Sequence, residues 1–208
     1  MVALKLYPEL KERLKEIQAL EIPPARQGVL QPLIAYIQHK LDAGETAFLN
    51  FICTHNSRRS QFAQIWAQTA ADSFHLPVRC LSGGVEVTAC NERTVASLKR
   101  FGFHISAKGT ENPKYSISHS ENGTPISAFS KLFDDPENNA ESFAAVMTCS
   151  HADENCPFIP GTEKRISVRY EDPKTFDDTP LEAEKYDERS IQIASEMFYV
   201  FSRLASTS

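Results

Sequence analysis

The chain has 208 residues, 41% of them hydrophobic and 10% aromatic, enough to bury a sizeable core as one domain. Its formal net charge of -5 provides no basic field for gripping nucleic acid, so any anion site must be built locally. The N-terminal Met1 to Glu9 stretch is broken by charges and a proline, and no later apolar run is long enough for a bilayer. Five cysteines, an odd number, argue against a secreted disulfide framework. Together these point to a cytoplasmic protein with neither a nucleic-acid nor a membrane partner, in which Asn122-Gly123-Thr124 is a turn signal and not a glycosylation site.

In chain order, residues 8–44 carry two helical patterns, the second with Leu30, Leu33, Ile34, Ile37 and Leu41 near helical spacing and Gly44 as its stop. They form a helical N-terminal extension over residues 1–45, packed on a catalytic domain over 46–208. The apolar run Ala47 to Cys53 reads as a buried strand, followed by a polar loop and a helix from about Ser60 to Ala71. Val78 to Ser82 is a second strand, Gly83-Gly84 a turn, and Asn91 caps a helix that runs through about Arg100, before Gly102. Ala144 to Thr148 and Arg165 to Tyr170 make two more strands, and residues 181–204 a long closing helix. Strands alternating with helices predict an α/β fold, a three-layer arrangement with a four-stranded parallel sheet and helices on both faces. Residues 107–142 form a polar insertion, in which Tyr115-Ser116-Ile117 and Pro125-Ile126-Ser127 flank Glu121-Asn122-Gly123 as a hairpin would.

The chemistry concentrates at Cys53-Thr54-His55-Asn56-Ser57-Arg58-Arg59-Ser60, where a loop leaves a parallel strand and enters a helix. Such a loop turns backbone N–H groups inward and the helix adds its positive end, which makes a cradle for a tetrahedral oxyanion. The same donors favour thiolate over thiol at Cys53, and the thiolate is the attacking species. Arg59 can fold back to clamp two oxyanion oxygens with its planar fork. A bare C-x5-R pattern is weak in a chain with five cysteines; the strand, loop and helix around it give it weight.

This loop resembles the nucleophile loop of low-molecular-weight protein tyrosine phosphatases and thioredoxin-coupled arsenate reductases. Ser82 to Glu86 with Asn91 to Val95, Cys149 to Pro157, and Glu171-Asp172-Pro173 resemble further blocks of that family in the same order. The resemblance covers about residues 47–110 and 143–204. Gln61 stands where the phosphatases usually have proline, and Cys149 pairs with Cys156 at the spacing of the reductases' shuttle cysteines. Three departures stand out. His55 replaces a glycine, a place where histidine tolerates a left-handed backbone better than most residues. Arg58 replaces a cysteine. Gln64 replaces a glutamate tied to potassium in some reductases, so potassium binding does not carry over.

The resemblance implies an arsenate reductase-like enzyme in which Cys53 attacks arsenate, Cys149 attacks the Cys53 sulfur, and Cys156 resolves Cys149, with a thioredoxin-like reductant resetting the disulfide. The alternative is hydrolysis of a phosphate ester through phosphocysteine. A catalytically silent oxyanion-binding module, docking through the apolar helix at 30–41, is a third reading. Asp172, before Pro173, is the expected proton donor; Asp135-Pro136 is a literal rival but lies in the insertion. Thr54, His55, Asn56, Ser57, Arg58 and Arg59 are the expected oxyanion-binding positions, and the resemblance implies that Asn56 fixes the loop and Ser60 donates to Cys53. No cofactor is expected, and no metal: Cys149, His151 and Cys156 offer three local ligands with no second pair. Cys80 and Cys90 read as core or helix-cap thiols.

Overall fold

A computed structural model describes residues 3–139, 141–155 and 158–205 of the chain. The apolar run at 47–53 is strand β1 (Ala47–Cys53), buried along nearly its whole length. It pairs in parallel with β2 (Val78–Gly84) on one side and β6 (Phe143–Met147) on the other, and β7 (Thr162–Ser167) completes the order β2-β1-β6-β7. A strand between two parallel neighbours loses water from both faces, which is why its sequence is almost continuously apolar. The fourth strand begins three residues earlier than its sequence pattern suggested, and β2 runs on through Gly83-Gly84, which are strand and not turn.

Side chains of β1 alternate between two clusters. Leu49 and Phe51 face α2 (Pro24–Asp42), α3 (Arg59–Ser73) and α6 (Glu182–Ala205), in the larger core around Trp66, Tyr186 and Phe198. Phe48 and Ile52 face a smaller cluster with Met147, Cys149, Ala152 and Ile159, which Cys53 joins where the strand ends. That second face is covered by one short helix, α5 (Ser150–Asn155), and by irregular chain, so the helical layers are lopsided.

The extension forms α1 (Pro8–Gln18) and α2, whose Leu30, Leu33, Ile34 and Ile37 are buried as their spacing required. Gly44, at φ +71°, ends the segment in a conformation favourable to glycine. Polar bonds pin α2 in place. Tyr36 Oη donates to Glu163 at 2.6 Å, Lys40 Nζ donates to the other oxygen at 2.7 Å, and Arg26 pairs with Glu196 of α6 at 2.7 Å. Lys40, Ser142 and Tyr36 together hold the Glu163 carboxyl down at about 2.

The insertion holds the expected hairpin, β4 (Lys114–Ser118) with β5 (Ile126–Ala128), and a strand the sequence did not disclose, β3 (His104–Lys108), which starts before residue 107. It pairs antiparallel with β4. β3 is mostly exposed and has no apolar alternation, so it carries no periodic signal. Helix α4 (Glu92–Arg100) precedes it, capped by Asn91, whose side chain accepts from Arg93 N at 2.9 Å.

The exit of the insertion returns to the sheet. Gly84 N donates to Lys131 O at 2.8 Å and Phe133 N to Gly84 O at 3.0 Å. A Cβ on Gly84 would stand 2.8 Å from both Thr54 O and Asn56 N, so only glycine lets the loop after β1 lie against β2.

Candidate active site

The strand order reverses direction between β1 and β6, and the crevice at their carboxyl ends is where open parallel sheets bind ligands. Cys53, 3% exposed, ends β1 at that crevice. Thr54 O accepts from Val85 N at 2.8 Å and from Glu86 N at 2.9 Å. The chain then turns at Asn56, which has φ +47°. The left-handed residue is thus Asn56 and not His55. Asparagine takes that conformation readily because its short side chain bonds locally.

Those local bonds build the site. Asn56 Oδ1 accepts from Lys131 N at 3.1 Å, and Asn56 Nδ2 donates to Ser60 Oγ at 2.9 Å. Ser60 Oγ is 3.1 Å from Cys53 Sγ. A Cys53 thiolate can only accept, so in that state the Ser60 hydroxyl donates to the sulfur, giving a chain from Asn56 through Ser60 to Cys53. Gln61 Nε2 donates to Asn56 O and to Phe129 O, both at 2.9 Å, and Ser57 Oγ donates to Ala89 O at 2.7 Å. His55 O accepts from Ser130 Oγ at 2.7 Å, while its ring nitrogen lies 3.2 Å from Glu86. The insertion therefore laces the loop after β1 from outside.

The two arginines opening α3 both meet the segment after β7. Arg59 Nη2 donates to Asp172 Oδ2 at 2.7 Å and Nη1 to Tyr170 O at 3.3 Å, while its buried Nε has no partner. The other Asp172 oxygen accepts from Lys174 N at 3.1 Å and caps the short turn Pro173–Phe176. Arg58 Nε donates to Tyr186 Oη at 2.8 Å, and Tyr186 donates to Asp177 at 2.8 Å. Burial and the Asp177 bond push the Tyr186 phenol above its usual range. Arg58 is thus tied into α6 and is not a free surface charge. Asp135, the rival acid, caps a turn over Pro136–Asn138 and accepts from Glu137 N at 2.9 Å.

Cys149, 1% exposed, lies two residues beyond the Met147 that pairs with Ile52. Thr54 Oγ1 is 3.6 Å from its sulfur, and Ala152 N donates to that sulfur at 3.4 Å. Residues 150–155, polar in sequence, are helix α5, anchored by Asp153, which pairs with Arg165 at 3.0 Å and Arg169 at 2.7 Å. Burial works against ionisation of Asp153, but the bonds from Ser167, Arg169 and Arg165 outweigh it and hold its carboxyl below the usual range. Cys156 lies outside the described residues. Cys53, Cys80, Cys90 and Cys149 are free thiols. Burial pushes Cys80 well up and Cys90 to about 12, which keeps both protonated at neutral pH.

Two hollows flank the loop. One of about 470 Å³ is lined by His55, Ser57, Arg58, Cys90, Arg93 and Lys174, and one of about 430 Å³ takes Arg59 and Ser150 into its wall. Cys53 lines neither. Among the described residues no cluster of three or more histidine, cysteine or acidic side chains is arranged to hold a metal. Sequence reasoning missed Lys131, Tyr186 and the arginines of α2 and α6 near the site, since none sits in a motif.

No family model matches the chain. Arsenate reductase 2 of Staphylococcus haemolyticus is 32% identical over 124 residues, 59% of this chain and 76% of that protein. Arsenate reductase of Staphylococcus aureus strain Newman is 30% identical over the same shares. Among solved structures, a low molecular weight phosphotyrosine phosphatase from Vibrio cholerae superposes with a TM-score of 0.51 at 13% identity, covering 76% of this chain and 95% of that one. A mutant of YwlE from Bacillus subtilis gives 0.50 at 14% identity, covering 76% and 98%. These two likenesses establish the fold.

Proposed function

This chain belongs to the arsenate reductase family, which shares the low-molecular-weight phosphatase fold, and from that premise we propose that it reduces arsenate with Cys53 as nucleophile. The observation that carries the reading is the bonded chain Asn56, Ser60, Cys53 beside an arginine whose buried Nε lacks an acceptor. A desolvated guanidinium donor costs free energy until an oxyanion or water meets it.

In the first step the Cys53 thiolate bonds to arsenic and one arsenate oxygen leaves as water, with Asp172 as the proton source. The backbone N–H groups of Thr54 to Arg59 and the Arg59 fork hold the remaining oxygens. The arriving anion first displaces Asp172 from Arg59, and the freed carboxyl takes up a proton before it gives one to the leaving oxygen. In the second step the Cys149 thiolate attacks the Cys53 sulfur. A disulfide forms, the sulfur–arsenic electron pair stays on arsenic, and arsenite departs. Cys156 attacks Cys149 in the third step, releasing the Cys53 thiolate, and a thioredoxin-like dithiol reduces the Cys149–Cys156 disulfide. The 3.6 Å approach of Thr54 Oγ1 to Cys149 supports the second step, because it brings the second sulfur beside the residue after the nucleophile.

Hydrolysis of a phosphate ester is the second reading, favoured by the Arg59–Asp172 pair, which suits protonation of an alcohol or phenol leaving group. The two are separated by assaying the protein on arsenate with thioredoxin and on an aryl phosphate, beside Cys53→Ser and Cys149→Ser. A reductase loses arsenate turnover with either substitution. If Cys149→Ser reduces arsenate at the normal rate, the relay is wrong; if only the aryl phosphate turns over, and only Cys53 matters, the protein is a phosphatase.

A further inference from the structure

The hollow of about 430 Å³ beside Arg59 is lined by Arg26, Arg59, Arg169 and Arg189 together with Ser150 and Gln192, and the only carboxylate among its described lining residues is Glu171. Three of the four arginines are already neutralised. Arg59 pairs with Asp172, Arg26 with Glu196 and Arg169 with Asp153, each at 2.7 Å. Arg189 is different. Among the described residues it forms no ion pair; one Nη donates to Gln192 Oε1, and its buried Nε has no partner. Burial lowers this guanidinium from its usual range by more than the nearby charges of Glu188, Glu171 and Glu196 raise it.

An arginine with no ion pair among the described residues, on a wall shared with Arg59, suits an oxyanion and not an apolar ligand. We propose that this hollow is a second oxyanion-binding site, centred on Arg189 and adjoining the catalytic one, which takes an inorganic oxyanion or a second anionic group carried by the substrate. The inference rests on the reading of the Cys53 loop as the first oxyanion site. Its walls come from the extension through Arg26 of α2 and from Arg189 and Gln192 of α6. The extension therefore contributes directly to the chemistry of the site's surroundings.

The arginine Nε–H resonances of the ¹⁵N-labelled protein report each site separately during titration with inorganic phosphate and then with inorganic pyrophosphate. The Arg189 signal is expected to move with phosphate, and the saturable shift at the hollow to vanish in Arg189→Gln while the Arg59 response persists. Independent saturation curves for Arg59 and Arg189 mark a site for a free oxyanion. Pyrophosphate binding about tenfold tighter than phosphate, moving both signals together, marks a subsite for a second group on one ligand. An Arg189 signal unmoved by either anion while Arg59 responds overturns the second site alone. If Arg189 responds and Arg59 does not, the reading of the nucleophile loop fails and the hollow stands.

Discussion

Arg59 Nη2 and Asp172 Oδ2 meet at 2.7 Å, and the second Asp172 oxygen is held by Lys174 N, so the proposed clamp and the proposed acid form one unit. An arriving oxyanion competes with Asp172 for the same fork, which couples binding to release of the carboxyl.

Asp172→Asn should therefore separate two effects. Turnover limited by protonation of a leaving oxygen falls by about a hundredfold or more, as for loss of a general acid. Inhibition by phosphate is not weakened, because Arg59 loses a competitor and keeps its donors. Steady-state rates on aryl and alkyl phosphates, with arsenate as a third substrate, check this. Equal losses for good and poor leaving groups would remove Asp172 from proton transfer.

The Asn56, Ser60, Cys53 chain makes a second prediction. A hydrogen bond to a charged group contributes about 1.5–3 kcal/mol, so Ser60→Ala should lower kcat/KM by about tenfold to a hundredfold, and the buried Asn56 Nδ2 it leaves unmet should cost about 1 kcal/mol of stability, less than Asn56→Ala. Asn56→Ala removes that link, the bond to Lys131 N and the side chain that tolerates φ +47°, so it should also destabilise the fold by about 1–3 kcal/mol. Kinetics and urea denaturation of the two variants distinguish them. Equal stability losses would contradict the different tasks assigned to Asn56 and Ser60.

Lys131 links the insertion to the loop and is 4% exposed. Burial, outweighing the nearby acids Asp135 and Glu137, lowers its amine from 10.5 to about 8. For a base with a depressed folded value, the cost of the buried charge is full below the folded value and vanishes above the unfolded one. Lys131→Met should thus be more stable than the parent at neutral pH, by about 3 kcal/mol at most. The gain should shrink as pH rises from about 8 to 10.5. Denaturant midpoints across that range test it. A pH-independent difference would show that burial of the charge is not the cause.

The sheet and the reacting loop were legible because each is written in a local pattern: β1 as a continuous apolar run, α4 as a capped helix, the loop as a cysteine followed by polar residues and Arg59-Ser60. What was not legible depends on tertiary pairing. β3 exists because β4 supplies its hydrogen-bond partners, not because of its own residues. Helix α5 in a polar stretch is fixed by Arg165 and Arg169 reaching Asp153 from β7 and the segment after it. The left-handed turn fell on Asn56 because Gly84 and Lys131 approach the loop there, contacts 28 and 75 positions away in the chain. Arg189 belongs to a helix whose pattern speaks only of packing, and its place beside Arg59 follows from α6 packing against α3.

The central claim, that Cys53 is a nucleophilic sulfur inside an oxyanion cradle, is tested most directly by carboxymethylation with iodoacetate, located by peptide mass mapping and repeated in the presence of phosphate or arsenate. Cys53 should be modified before the buried Cys80 and Cys90, and either anion should slow its modification in a saturable way. Modification of Cys53 no faster than that of Cys90, or at a rate that neither anion alters, would contradict the account.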